Sequence, residues 1–583
     1  WTEIPAPQES GLTVGRFEDL VSEGDVLVPE VVVFTALPDS SESPPNPLEQ
    51  TRVLTAQVLQ TVQAWLGGDR FADSTLVVRT GTGLAAAAVS GLMRSAQSEH
   101  PGRFVLVESD DDTLTLDQLA ASVGLDEPRL RICGGRFEVP RLTRTHAAEP
   151  EPEAERGRAW DPDGTVLITG GSGVLAGIVA RHLVAERGVC HLLLVSRSTP
   201  DEALLSELVK LGAQVATAVC DVSDRAGLAR VLAGVSPEHP LTAVIHTAGT
   251  LDDGVVESLS AQRLETVLRP KADGAWHLHE LTRDADLAAF VMYSSAAGVL
   301  GSAGQGNYAA ANAFVDALAE QRRAEGLPAL SLAWGLWEDA SGLTARLTDT
   351  DRGRIRRGGL RAISAEHGMR LFDSASRHDE PVLVAAAMEP VRDAEVPALL
   401  RSLHRTIARR ATSTGDSSAQ WLAALAPEER EKALLRVVCD GAATVLGHAD
   451  VGSIPVTAAF KDLGVDSLTA VELRNRLAKA TELRLPATLA FDYPTPTALA
   501  ARLGELFAPA EPEPSLHEQE LRRALAGVSI AKFREAGVLD TLLRLAAMEG
   551  LAVPKPDSEA DDEDFVDEMD ADALIKHVLE EER

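Results

Sequence analysis

Cysteine, tyrosine and positive charge are all scarce in this chain of 583 residues. Its four cysteines, Cys133, Cys190, Cys220 and Cys439, lie far apart and form no CxxC pair. That spacing argues against a disulfide framework or a thiolate metal site; no metal is expected, and small thiols in a reducing, cytoplasmic compartment are. Lysine and arginine total 55 against 88 aspartates and glutamates, a net charge of −33. Non-specific nucleic-acid binding needs a basic surface that displaces counterions, so no nucleic-acid partner is expected. No uncharged apolar run reaches the length of a membrane span, so no membrane partner is expected either. The first residue is Trp1, with no Met and no signal-peptide pattern, and the sequence is read as a piece of a longer polypeptide.

What is present is 45% hydrophobic residues over a length sufficient for several cores. Breaks in composition divide the chain into blocks 1–142, 159–405, 420–507 and 515–583. The stretch from Thr143 to Arg158, rich in Glu, Arg, Pro and Ala, reads as a linker, as do the segments 409–418 and 508–514. The first two blocks alternate β-branched runs with helical stretches, for example Val31-Val32-Val33-Phe34 and Thr165-Val166-Leu167-Ile168. This alternation predicts βαβ units and a parallel sheet in each. The first block has Thr80-Gly81-Thr82-Gly83 but no catalytic set to accompany it, and reads as a silent echo of the second.

In the second block Thr169-Gly170-Gly171-Ser172-Gly173-Val174-Leu175 follows a predicted strand and opens a helix. Glycines there let the backbone approach a pyrophosphate, whose charge sits on the helix N-terminus. The small Ala176 takes the last position of the GxGxxG pattern. The next strand ends at Ser196-Arg197, where an NAD-specific protein would carry an acid; Arg197 offers a cation for a 2′-phosphate, so NADPH is the expected cofactor. Asp221, beside Val222, is placed to meet the adenine. Downstream stand Lys271, Ser295, Tyr308 and Asn312. Tyr308 and Asn312 are four apart and share a helix face. A free phenol titrates near pH ~10 and needs a neighbouring cation to lower it. Lys271 is expected to supply that charge, Ser295 a hydrogen bond to a substrate carbonyl, and Tyr308 the proton as hydride arrives.

The third block is helical, with an exposed serine in Asp462-Leu463-Gly464-Val465-Asp466-Ser467-Leu468. Ser467 by itself could be no more than an N-cap. The fourth block has apolar positions of two amphipathic helices around Gly537, an acidic spacer, and a final stripe Leu574, Ile575, Val578, Leu579.

The second block resembles the ketoreductases of modular type I polyketide synthases, within the short-chain dehydrogenase/reductase superfamily. The segments that carry the likeness are the glycine loop, His246-Thr247-Ala248-Gly249, Leu251-Asp252-Asp253, Pro270-Lys271-Ala272-Asp273-Gly274-Ala275-Trp276, Tyr293-Ser294-Ser295-Ala296-Ala297-Gly298, and Gln305 to Asn312. The first block is similar to that family's structural subdomain, through the stretch from Gly91 to His100. Asp466-Ser467-Leu468 and Phe491-Asp492-Tyr493-Pro494-Thr495 resemble an acyl carrier protein, and the fourth block a C-terminal docking domain.

The resemblance implies two Rossmann-like α/β subdomains (1–142 and 159–405), an all-α four-helix carrier domain (420–507) and an α-helical docking tail (515–583). It places Ala248 and Gly249 with the cofactor loop, and 4′-phosphopantetheine on Ser467, attached by a phosphopantetheinyl transferase. Leu251-Asp252-Asp253 resembles the B-type fingerprint, which gives an L-configured hydroxyl. Leu300 stands where A-type members carry Trp, and Ala310 where epimerising members carry Pro. Residues 334–360 fit the lid. Implied partners are upstream ketosynthase and acyltransferase domains, a downstream synthase polypeptide and a second copy of the chain as homodimer. The expected reaction is NADPH-dependent reduction of a carrier-bound β-ketoacyl thioester. The alternatives are a free-standing dehydrogenase and a silent reductase scaffold that only presents and docks the carrier.

Overall fold

The β-branched runs form two seven-stranded sheets. The computed structural model describes residues 1–507 apart from 8–10, 23–26, 38–45, 146–159, 339–351, 354, 357–358, 390–395, 404–420, 423, 449–451, 453 and 487, together with 532, 534 and 536–538. The chain divides into two units, Trp1–Gly504 and Glu505–Arg583.

In the first sheet the strands are β1 (Thr2–Ile4), β2 (Val14–Arg16), β3 (Val31–Ala36), β4 (Thr75–Thr80), β5 (Phe104–Glu108), β6 (Arg129–Cys133) and β7 (Arg136–Val139). Their order is β1-β7-β6-β5-β4-β3-β2. From β2 to β6 the pairs are parallel, as the alternation predicts. The end of the sheet departs from that expectation. β6 and β7 form an antiparallel hairpin and β1 adds antiparallel to β7. Gly134 and Gly135 make its two-residue turn with φ of +55° and +76°, values that glycine adopts without strain.

The second sheet contains β8 (Thr165–Thr169), β9 (His191–Ser196), β10 (Gln214–Val219), β11 (Leu241–His246), β12 (Ala289–Ser295), β13 (Leu330–Trp334) and β15 (Val382–Ala385). Strands β14 (Leu360–Arg361) and β16 (Ala387–Met388) pair separately. The order β10-β9-β8-β11-β12-β13-β15 is parallel throughout. Chain order reverses between β8 and β11, and such a switch point is where doubly wound sheets bind ligands at the carboxyl ends of the strands.

The two sheets are joined by helices. Leu84–Glu99 lies against Gly306–Ala324, and one group of buried residues runs from Trp65, Leu92 and Met93 to Phe314 and Leu318. Arg52 on the helix Pro47–Gly67 reaches across to Asp273 (2.5 Å) and Glu265 (2.7 Å). The first block is thus built into the core of the second.

The carrier block contains the helices Pro427–Leu446, Ser467–Thr481, Leu489–Asp492 and Pro496–Leu506. Leu434, Val438, Ala442, Leu473, Leu477, Leu499 and Leu503 are among its buried apolar positions. The four-residue helix is too short to show a period, and sequence periodicity alone misses it. The expected tail helices and both of the later linkers lie outside the described residues, although Gly537 has the positive φ, +69°, of a helix-ending residue.

Candidate active site and carrier serine

The glycine loop leaves β8 and opens the helix Val174–Arg187 at the switch point. Gly170 has φ +69°, and a Cβ there would stand 2.8 Å from Thr247 Oγ1. A Cβ on Gly171 would come within 2.9 Å of Leu194. Both positions therefore require glycine, and the backbone they free is the surface a pyrophosphate needs. Ser172, Gly173 and Val174 are exposed at the mouth of this cradle, with Leu175 half-buried behind them.

Ser196 ends β9 with its hydroxyl donating to Ser198 O (2.7 Å), which leaves Arg197 exposed beside the cradle. Asp221 follows β10 and accepts from the Ser223 N–H (2.9 Å) and hydroxyl (2.8 Å). Burial alone would raise its pKa, but those bonds and the charges of Arg269 and Arg197 outweigh it and hold the carboxylate below its ordinary value. Val222 is buried beside it; Ala248 and Gly249 lie half-buried past β11.

Ser295 ends β12 and caps the short helix Ala296–Leu300, its Oγ accepting from Ala297 N at 3.2 Å. The hydroxyl proton remains free to be given elsewhere. Tyr308 and Asn312 share a face of Gly306–Ala324, with Asn312 Nδ2 donating to Tyr308 O at 2.8 Å. Burial raises the Tyr308 phenol above its ordinary pKa, while hydrogen bonds with the Ser295 and Asn312 side chains draw it back down. Asn312 Oδ1 is buried and makes no hydrogen bond.

Lys271 sits in a π-helical turn, Arg269–Asp273, which Pro270 opens. It is 3% exposed, and desolvation lowers its pKa to about 8 despite the opposing charge of Asp316. Its ammonium donates to Tyr293 O (2.7 Å), and Gly249 passes so close that a Cβ there would meet Lys271 Nζ at 3.2 Å. Tyr308 stays above its ordinary pKa because burial outweighs its hydrogen bonds with Ser295 and Asn312, and one Lys271 donor goes to Tyr293 O while two remain for other partners.

One residue of the site escaped sequence reasoning as a functional group. The His246 imidazole is fully buried at the end of β11, with Nδ1 2.8 Å from Thr169 Oγ1 and Nε2 3.0 Å from Lys271 O. Desolvation, aided by the Lys271 charge, lowers its pKa to about 3, so the ring is neutral and ties the cofactor loop to the lysine turn. The signal was available: a polar ring at the inward end of an otherwise apolar strand needs two partners.

Leu251-Asp252-Asp253 is pinned directly ahead of Tyr308. Asn307 Nδ2 donates to Asp252 O (2.7 Å), Gln305 Nε2 to Asp253 Oδ2 (2.9 Å), and Gly254 N to Gly304 O (2.7 Å). Arg263 Nε closes the loop on Asp252 Oδ1 at 2.9 Å.

In the carrier block Asp466, not Ser467, is the N-cap: its Oδ1 accepts from Thr469 N (2.8 Å), and Thr469 Oγ1 accepts from Asp466 N (2.7 Å). This reciprocal cap satisfies the helix end and leaves Ser467 exposed at the first helical position.

Three family models match these same regions: a KR domain over residues 164–339, the Rossmann fold domain of a polyketide synthase extender module over 1–142, and a phosphopantetheine attachment site over 436–503. A solved structure of A-type ketoreductases from a modular polyketide synthase is 30% identical, and the match covers 69% of this chain and 96% of that one with a TM-score of 0.58. An A1-type ketoreductase is 34% identical, covering 66% and 84% of the two chains with a TM-score of 0.54. This chain belongs to the modular type I polyketide synthases.

Among curated members of the family, polyketide synthase GfsE of Streptomyces halstedii is 51% identical over 86% of this chain and 14% of its own length. The spectinabilin polyketide synthase protein NorA' of Streptomyces orinoci is 45% identical over 99% of this chain and 17% of its own. The chain thus spans less than a fifth of these two polyketide synthases. It carries a ketoreductase domain and a phosphopantetheine-bearing carrier domain, and among the described residues no helix is long and apolar enough to cross a membrane.

Proposed function

We propose that the chain catalyses NADPH-dependent reduction of a β-ketoacyl thioester held on Ser467, giving an L-configured β-hydroxyacyl thioester. The observation that carries this reading is the meeting of Ser295, Tyr308 and Asn312 beside the glycine cradle, on a chain that also exposes Ser467 for the arm. The cradle fits the cofactor, since Gly170 and Gly171 leave backbone that any Cβ would cover. NADPH, when bound there, supplies the hydride for the β-carbon. Arg197, exposed at the end of β9, is the cation for a 2′-phosphate, and Asp221 is held ionised nearby for the adenosine end.

The substrate carbonyl oxygen is taken up by the hydroxyls of Ser295 and Tyr308. Tyr308 gives it a proton as the C–H bond forms, and Ser295 bonds the developing negative charge. Asn312 donates to the Tyr308 carbonyl from the next turn of the same helix, and its side chain helps draw the phenol's pKa down. Lys271, buried and close against Gly249, provides the positive charge on the cofactor side, and neutral His246 fixes its backbone relative to Thr169. Leu251-Asp252-Asp253, tied to the turn before Tyr308, is positioned to choose the face of the carbonyl and supports the B-type reading, as does Leu300. Handover to a downstream polypeptide, dimerisation through the tail, and supply of the acyl chain by ketosynthase and acyltransferase domains complete the proposed role.

The reading is tested with Tyr308→Phe on a diffusible β-ketoacyl thioester, following NADPH oxidation. Loss of the acid should lower the rate by ~100-fold or more. A wild-type rate would remove Tyr308 from the mechanism.

A further inference from the structure

The carrier helix Ser467–Thr481 meets the reductase through the same face that bears Ser467. Arg474 and Asn475 lie two turns on from Ser467 and Leu468, about 10 Å along the axis. Arg474 Nη2 donates to Glu99 O (3.2 Å) and to His100 Nδ1 (2.9 Å), and Asn475 Nδ2 donates to Glu99 O at 3.0 Å. Glu99 is the last residue of the helix Leu84–Glu99, whose final carbonyls lack helical partners and carry the negative end of its dipole. A guanidinium and an amide N–H₂ are the donors such an end takes.

The receiving surface is matched in charge and protonation. Burial lowers the Arg474 pKa while the Glu257 and Glu99 carboxyls oppose that fall, and desolvation lowers the His100 pKa, so its ring is a neutral acceptor. Arg474 is 8% exposed in this contact. A second point of attachment, Arg484 Nη1 to Asp73 Oδ1 and Ala72 O (2.7 Å each), is exposed and adds little.

The same helix end reaches the catalytic mouth. Glu99 Oε1 accepts from Gly304 N (2.9 Å) and Oε2 from Val256 N (2.7 Å). Gly304 lies two residues before the Tyr308 helix, and its missing side chain is the space that Leu468 enters: a Cβ there would stand 3.2 Å from Leu468 Cδ2. The residue next to Ser467 therefore rests on the turn that leads into the active site.

We propose that this surface, the end of helix Leu84–Glu99 with the Gly304 turn, is the seat on which the chain's own carrier rests while its acyl group is reduced, with Arg474 as the anchor. The proposal rests on the reading that Ser467 bears the substrate. It assigns a task to the otherwise silent first block, which presents the helix end that receives the carrier.

The test uses the full chain with Arg474→Glu, and with Asn475→Asp as a second variant. Three readouts are taken: mass spectrometry of phosphopantetheine loading, which reports a folded carrier; reduction of a β-ketoacyl group on Ser467 against reduction of a diffusible β-ketoacyl thioester; and labelling of His100 by diethyl pyrocarbonate. The seat predicts normal loading, a rate on the Ser467-bound group lower by ~10-fold or more for Arg474→Glu and less for Asn475→Asp, an unchanged rate on the diffusible thioester, and several-fold faster labelling of His100. Wild-type reduction of the bound group by both variants would overturn it, as would equal loss on the diffusible substrate or unchanged His100 labelling. If the wild-type chain reduces neither substrate, the proposed function fails instead, while His100 labelling still decides whether the carrier sits here.

Discussion

A Cβ placed on Gly91 would stand 2.3 Å from the carbonyl oxygen of Ala309. The helix Leu84–Glu99 therefore touches the Tyr308 helix backbone to backbone, and the first block sets the height of the Tyr308 phenol. Around this contact Arg94 bonds Gly298 O, and Gly306 is closed over by Leu92.

Gly91→Ala should lower stability by about 1–3 kcal/mol, the usual cost of overpacking a tight contact. Because the neighbour is backbone and not a flexible side chain, relief requires the Tyr308 helix to move. Thermal unfolding and the rate on a diffusible substrate should fall together. An unchanged melting temperature with full activity would show that the two helices have slack.

The reduction rate should also fall in alkali. Lys271 has a pKa of about 8, lowered by burial, so its ammonium is lost as pH rises through that value. A pH–rate profile on a diffusible thioester should decline above pH ~8, approaching ten-fold per unit, and Lys271→Met should be slow and lack that limb. A wild-type profile flat to pH ~9.5 would mean that the lysine's charge is not used.

His246 predicts an acid limit on stability. Its folded pKa of about 3 lies below the ~6.5 of an unfolded histidine, so the folded state prefers the neutral ring. The contribution is complete above pH ~6.5 and is lost as pH falls toward 3, at about 1.4 kcal/mol per unit. His279, lowered to about 4 by burial and by Arg322, adds in the same direction. His246→Gln should therefore flatten the fall of melting temperature between pH 6.5 and 4.5 without abolishing it. An unaltered slope would show that His246 does not titrate on unfolding.

Much of this was legible in the sequence because the chemistry is local. The glycine loop announces itself through residues that only a close backbone approach requires, and Tyr308 and Asn312 are linked by helical spacing alone. Ser467 was legible through its neighbours, although the cap belongs to Asp466. The parts that were not legible depend on long-range pairing. Nothing near Glu99 in the chain says that its carboxylate will hold Gly304 and Val256, or that Arg474 will rest on its carbonyl. The Lys271 ammonium also bonds Tyr293 O, a backbone atom that no sequence pattern marks. The Gly134-Gly135 hairpin was overlooked because the parallel reading of the first block left no place for one.

The central claim is that the acyl group on Ser467 is reduced by Tyr308 of the same chain. The phosphopantetheinylated protein, loaded with a β-ketoacyl group and examined by mass spectrometry before and after NADPH, tests it most directly. The account predicts a gain of two hydrogens on the Ser467-bound acyl group, absent in Tyr308→Phe. Full loading with no mass gain across several acyl groups would contradict it and leave the reductase as a scaffold for its carrier.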